Sequence, residues 1–362
     1  MIQENKIMNE KLKVAVIGVG SISYSHINAY LANPNVELYA FCDIDEKILK
    51  SKGEQYKIDR LYADYNEMFK ALPEIDAVSV CTWNSAHAPA TIAALNAGKH
   101  VLCEKPMALN AKEAEEMKEA AEKNGKILTI GFVRRFGKDA DITTDFVNNG
   151  RLGEIYYAKA TYIRRNGNPG GWFGEKARSG GGPLIDLGVH VIDLVRYLSG
   201  GPKPVSVYGA TFRKLYNRMN LKSEKEYVSA SYKGKDDICD VEDLASAMIR
   251  FDNGEVLHVE ASFSLNVGKN EGKVELFGDK GGVTLNPSFS FHSEIDDYLA
   301  DITLDMPTAF DGSAFNKEID CFVSAIMNGT PLRATAEDGV EMMKILDAIY
   351  ESAQTGHEVI IK

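Results

Sequence analysis

Two sets of residues in this chain have types and spacings that suit chemistry. The first is the run GVGSIS, in which Gly18, Gly20 and Ser23 hold the three positions of a GxGxxG-type turn. Gly18 permits a tight turn off a strand. Gly20 leaves out the side chain where a pyrophosphate must approach the backbone. Ser21 and Ile22 then lead into a helix whose first N–H groups point at that phosphate. Ser23 is small enough for close helix–strand packing. Asp43 lies 20 residues after Ser23, at the end of the second expected strand. A carboxylate there accepts hydrogen bonds from both adenosine ribose hydroxyls and repels a 2′-phosphate. Ile44 and Asp45 supply no cation for such a phosphate, so NAD is expected rather than NADP. The competing reading is that Asp43 merely caps the next helix. The second set is Asp186 and His190, spaced i, i+4 on an expected helix and so facing one side. Histidine is a natural proton acceptor near neutral pH. A carboxylate one turn away is expected to orient the imidazole and favour its protonated form. Lys105 stands at the C-terminal end of an expected parallel strand, where ligands bind in such sheets.

The surrounding pattern supplies elements to position these groups. Short apolar runs at Leu12–Ile17, Val36–Cys42, Ala77–Cys81, His100–Cys103 and Ile127–Ile130 alternate with helical stretches. Asn110 and Glu113 form an expected N-cap pair, and Gly125 follows as a stop signal. Such alternation predicts a parallel, doubly wound sheet. After about Arg135 the pattern turns β-rich, with strands expected over Ile155–Ile163, Pro204–Phe212, Leu244–Phe251, Val256–Phe263 and Val274–Phe277. Asp252-Asn253-Gly254 reads as a hairpin turn. A helix is expected over Leu184–Leu198, and Met342, Leu346, Ile349 and Ala353 mark one face of a last helix. The expected fold is an α/β Rossmann domain plus an α+β domain with a large, mostly antiparallel open sheet. The domains are placed at 1–133 and 134–334, the second for substrate binding and oligomerisation, with a helix over 335–355 returning to the first.

Composition narrows the partners. The 362 residues suit two domains, and a formal charge of −11 argues against duplex DNA or an anionic membrane as partner. The five cysteines include no CxxC pair, so neither a disulfide framework nor a structural zinc site is suggested. No run of about 18 apolar residues is present, so no membrane span is expected. The first eleven residues lack the apolar core of a signal peptide. A cytoplasmic protein is expected.

Two longer stretches carry a family resemblance. CTWNSAHAPATIAALNAGKHVLCEKPMAL, Cys81 to Leu109, and SGGGPLIDLGVHVIDL, Ser179 to Leu194, resemble the Gfo/Idh/MocA oxidoreductases. The run Gly131-Phe132-Val133-Arg134-Arg135-Phe136 and the terminal TAEDG are similar to further landmarks. Trp83 stands where that family usually has proline, and Ser23 where it has glycine or alanine. The resemblance implies that Thr82, Asn84 and His87 lie near the cofactor, and Glu104 and Lys105 near the nicotinamide ribose. It also implies a cis peptide bond before Pro106.

Oxidation of a secondary alcohol needs a hydride acceptor and a proton acceptor. The expected roles are His190 as general base, Lys105 as orienting and polarising cation, and Asp186 as supporting carboxylate. Arg164, Trp172 and Asp193 are candidates for substrate contact, although the loop carrying the first two reads equally well as interdomain packing. No metal is expected. The implied activity is NAD-dependent hydride transfer at a secondary hydroxyl or ketone of a sugar, cyclitol or sugar derivative. One alternative is glycoside C3 oxidation or a sugar–sugar oxidoreductase with a retained cofactor; another is a non-catalytic NAD sensor. A homodimer or homotetramer is expected.

Overall fold

The computed structural model describes residues 11–216, 218, 221–222, 228–234, 237–286 and 288–362, so residues 1–10 lie outside it. The chain divides into two compact units. The first holds the described chain up to Glu104, Glu116–Gly131 and Phe315–Ala336. The second holds Lys105–Glu115, Phe132–Ala314 and Glu337–Lys362.

The first unit is built on β1 (Leu12–Ile17), α1 (Ser23–Ala32), β2 (Val36–Cys42), α2 (Glu46–Tyr56), β3 (Leu61–Tyr62), α3 (Tyr65–Ala71), β4 (Ala77–Val80), α4 (His87–Asn96), β5 (His100–Glu104) and β6 (Leu128–Gly131), with α5 (Ala111–Asn124) running into it before β6. The strands are all parallel, in the order β3-β2-β1-β4-β5-β6. Strand order reverses between β1 and β4, and ligands bind at the carboxyl ends there in such sheets. Val14, Ala15 and Val16 of β1 are fully buried, which is why the strand reads as an unbroken apolar run. A distant helix, Ser313–Asn328, closes this core. Its Ile319, Phe322 and Val323 pack with Val14, Ala29, Tyr30, Val36, Ala77 and Leu102. The last helix falls in the second unit from Glu337 onward.

The second unit holds α6 (Lys138–Asn148), β7 (Ile155–Ile163), α7 (Lys176–Ser179), α8 (Val189–Leu198), β8 (Pro204–Phe212), β9 (Leu244–Phe251), β10 (Val256–Ser262), β11 (Glu271–Gly278), β12 (Gly282–Leu285), β13 (Ser290–Ile295), β14 (Tyr298–Ile302), α10 (Ala336–Thr355) and β15 (Val359–Ile360), the Ser313–Asn328 helix being α9. Its nine strands run in the order β14-β13-β12-β11-β7-β10-β9-β8-β15. Among the described strands only β7 and β10 pair in parallel within this sheet. The hairpin between β9 and β10 turns at Gly254, whose φ of +90° suits a residue without Cβ. One face of the sheet is packed through Ala158, Ala160, Ile249, Leu257, Val259 and Leu276, and α8 lies against β7, β10 and β11. Tyr156, Tyr208 and Met248 stand outward and remain exposed.

Candidate active site

In the first unit the glycine turn has the expected geometry. Gly18 has φ +83°, and a Cβ there would lie 2.7 Å from the Cys81 carbonyl oxygen. A Cβ on Gly20 would meet nothing within 4 Å, so the backbone there is open to a ligand. Ser23 is fully buried at the start of α1, and its hydroxyl donates to the Gly20 carbonyl at 2.6 Å. No side chain caps the α1 N-terminus, and although the Tyr24 and Ser25 N–H groups donate to the Ser21 and Ile22 carbonyls, the positive end of the helix still faces the turn. Asp43 is not a helix cap. Asp45 does that work, accepting from the Lys47 and Ile48 N–H groups. Asp43 Oδ2 instead accepts the Val19 N–H at 2.8 Å, and Oδ1 accepts the Asp45 N–H at 2.9 Å. The ribose-type carboxylate is therefore tied to the phosphate-type turn. Each oxygen keeps a further lone pair for a hydroxyl. These features fit a bound dinucleotide.

The loop after β4 is set by its own hydrogen bonds. Thr82 Oγ1 donates to the Trp83 carbonyl at 3.2 Å, and the His87 ring lies 3.2 Å from the Thr82 carbonyl. Asn84 and His87 are both buried, so they shape this loop from beneath.

Sequence reasoning missed the surroundings of Glu104. His26 of α1 is fully buried, with Nε2 2.8 Å from Glu104 Oε1 and Nδ1 3.1 Å from Ser79 Oγ. Ser79 lies 2.7 Å from the Tyr30 hydroxyl. The arrangement that satisfies every atom has Tyr30 donating to Ser79, Ser79 to Nδ1, and Nε2–H to the Glu104 carboxylate. Glu104 thus points into the first unit, with one oxygen held by α1. These partners stand far apart in sequence, so no local pattern announces them.

In the second unit, Lys105 is joined to Pro106 by a cis peptide bond. Its Nζ lies 3.0 Å from both the Asp186 carbonyl oxygen and Asp186 Oδ1. Both side chains are mostly buried. The helix carrying Asp186 departs from the expected form. Leu184–Gly188 is a π turn, with the Val189 N–H reaching back to the Leu184 carbonyl, and regular α8 begins only at Val189. A π turn interrupts the i→i−4 ladder and occurs frequently at functional sites. Here the Asp186 backbone and side chain both serve the ammonium. Asp186 does not orient His190, because among the described residues the buried His190 Nδ1 has no hydrogen-bond partner. Burial, reinforced by Lys105, Arg134 and Arg164, pushes the imidazole well below the usual histidine pKa. His190 is therefore neutral at neutral pH, the reverse of the protonated form expected from Asp186.

Asp193 is not free for substrate. It is 1% exposed and accepts two bonds from Arg135, at 2.7 and 2.9 Å. The third Arg135 nitrogen donates to Asp338 of α10 at 2.9 Å. The arginine pair of the GFVRRF run thus has a structural member, Arg135. Arg134 pairs with Asp139 at 2.7 Å. Removing one partner of a buried ion pair strands the other charge. Asp193→Ala is expected to cost about 3 kcal/mol, the low end of such losses because Arg135 keeps Asp338. Urea unfolding at neutral pH measures it, and a loss below about 1 kcal/mol would show a different balance.

Arg164 donates to the Gly167 carbonyl at 3.2 Å and lies over the Tyr162 ring, yet its charge still reaches His190. Trp172 stacks on Phe173 with ring centroids 4.0 Å apart, and its backbone N–H donates to the Ser231 hydroxyl at 3.2 Å. Among the described residues no group of three or more His, Cys, Asp or Glu side chains is placed to hold a metal.

Two family models match the chain. The oxidoreductase family's NAD-binding Rossmann fold matches residues 12–132, and the same family's C-terminal alpha/beta domain matches 145–361. An Escherichia coli (strain K12) protein described as D-glucoside 3-dehydrogenase is 34% identical over 359 residues, 98% of this chain and 99% of its own length. A Thermotoga maritima myo-inositol 2-dehydrogenase is 26% identical over 331 residues, 91% of this chain and 92% of its own. The crystal structure of an aldose-aldose oxidoreductase from Caulobacter crescentus complexed with glycerol superposes with a TM-score of 0.79 at 26% identity, covering 97% of this chain and 100% of that one. Both units thus match a single family across nearly their whole length, and the chain belongs to the Gfo/Idh/MocA oxidoreductases.

Proposed function

We propose that this protein is an NAD-dependent dehydrogenase of secondary hydroxyls on sugars, with glucosides oxidised at the 3-position as the first substrates to test. The observation that carries this reading is the Lys105 ammonium held 3.0 Å from two oxygens of Asp186, four residues before a neutral His190. The choice of glucosides rests on the 34% identity to a protein described as a D-glucoside 3-dehydrogenase. Gly18, Gly20, Ser21 and Ile22 hold the pyrophosphate of NAD, and Asp43 holds its adenosine ribose. Thr82, Asn84, His87 and Glu104 fix the backbone on the nicotinamide side. When bound, NAD supplies the hydride acceptor. Lys105 donates to the reacting hydroxyl oxygen and lowers its pKa. His190 takes the proton on its neutral imidazole, and Asp186 holds Lys105 in place. Arg164 and Trp172 serve the remainder of the sugar. Asp193 has no part in substrate binding.

NADH absorbance with a panel of glucosides, free aldoses and inositols tests this reading, with the products identified by mass spectrometry. Hydride transfer from none of them, with NAD bound tightly, would favour a non-catalytic sensor. Absorbance-silent interconversion of two sugars would favour a retained cofactor. A cytoplasmic setting is part of the proposal, supported by five cysteines that form no disulfide. So is a homodimer or homotetramer, supported by the outward Tyr156, Tyr208 and Met248 on the second unit's sheet. Light scattering at micromolar concentration should return a multiple of the chain mass, and a monomer would count against it.

A further inference from the structure

Glu242 lies in the second unit, two residues before β9, and is largely buried. Its carboxylate collects three donors. Oε2 accepts the Gly182 N–H at 3.0 Å, and Oε1 accepts the Leu184 N–H at 3.2 Å and the Tyr350 hydroxyl at 2.9 Å. Pro183, between the two backbone donors, has no N–H to give. The N–H groups flanking the start of the π turn therefore converge on one carboxylate. The glycine run before the turn is shaped to the same groups. A Cβ on Gly182 would come within 2.2 Å of the Glu242 carbonyl oxygen, and one on Gly181 within 1.9 Å of the Tyr350 hydroxyl. Two residues beyond Leu184, Asp186 turns both its carbonyl and its carboxylate to Lys105.

We propose that Glu242, steadied by Tyr350, is a positioning residue for hydride transfer: it fixes the start of the Leu184–Gly188 π turn and thereby the register in which Asp186 holds Lys105. This rests on the function proposed above. A carboxylate has two acceptor atoms for the two backbone donors, whereas an amide has one, its other end being a donor. Glu242→Gln must therefore release Gly182 or Leu184 while nearly preserving volume. Tyr350→Phe removes only the hydroxyl and leaves both backbone bonds.

The test compares both variants with the wild-type enzyme under saturating NAD and a turned-over sugar, protiated and deuterated at the oxidised carbon. Glu242→Gln is expected to lower kcat about 30-fold, in the range of small misplacements of reacting groups. The NAD affinity and binding stoichiometry should stay within about twofold, and the deuterium isotope effect on kcat should rise as hydride transfer becomes limiting. Tyr350→Phe should lower kcat about threefold in the same direction, and it serves alone if Glu242→Gln does not fold. A crystal structure of Glu242→Gln should show the π turn relaxed or Lys105 withdrawn from one Asp186 oxygen. The proposal is overturned by unchanged kcat, or by a kcat that falls only in step with NAD-binding stoichiometry at a constant isotope effect, or by a variant structure in which the π turn is unchanged and both Lys105 contacts are kept. A wild-type enzyme that oxidises no sugar would instead remove the parent reading, and the variant structure would still decide whether Glu242 sets the turn.

Discussion

Lys105→Ala is expected to lower kcat by about 10³-fold while leaving NAD affinity unchanged. The size follows from what is lost. The ammonium is the donor placed between the Asp186 carbonyl and carboxylate, both at 3.0 Å. Its charge would stabilise the alkoxide character that develops as hydride leaves, a demand made only in the transition state. Such a loss lowers kcat and kcat/KM together. The glycine turn and Asp43 hold their geometry through bonds within the first unit, so calorimetric NAD binding should be preserved. Arginine should not restore the rate, because a planar fork replaces a compact ammonium. Near-normal turnover in the alanine variant would remove Lys105 from the chemistry.

The second large effect concerns His190 and pH. His190→Asn should lower kcat about 10²- to 10³-fold by removing the proton acceptor. In the wild-type enzyme, burial first and then Lys105, Arg134 and Arg164 hold the imidazole well below its usual pKa. The base thus stays deprotonated through neutrality, and kcat/KM should remain level from pH 8 to below 6.5, falling only in stronger acid. Stability has the matching sign. An unfolded histidine titrates near ~6.5, so below that pH the unfolded chain binds a proton that the folded site refuses. This site's contribution is constant above about pH 6.5 and turns against folding as pH falls toward the depressed folded value. Urea midpoints at pH 7.5 and 5.5 should separate further for the wild-type protein than for His190→Asn. Equal separations would mean that His190 titrates normally.

The sequence disclosed most where a pattern is local. β7, β8 and β9 begin and end where alternation and turn residues place them. Asn110 caps α5 by accepting the Glu113 N–H, as the spacing implied. The hairpin of β13 and β14 escaped notice because Asp296 and Asp297 both take positive φ, which glycine or asparagine would have signalled more clearly. The exposed Tyr298 and Leu299 on β14 also blur its alternation. At the site, the residue types were legible and their partners were not. Asp193 looked available because it follows His190 by three, but an arginine 58 positions away occupies it. Asp186 looked like a partner for His190, but a single five-residue π turn is too short to leave a period of its own in the sequence and gives no warning of where its carboxylate turns. Glu242 is tied to the turn from 58 to 60 positions away, beyond any spacing rule.

The late closure of the first unit has a consequence for how the protein is made. Strands β1 to β6 are complete at Gly131, but Ile319, Phe322 and Val323 are synthesised almost two hundred residues later. Until then the apolar groups of Val14, Ala77 and Leu102 lack their cover, and strands β7 to β14 of the second unit emerge in the interval. Nascent chains with such uncovered surface are prone to aggregate. Translation stalled before α9 should therefore yield chains that bind holdase chaperones, whereas release of the complete chain should free them.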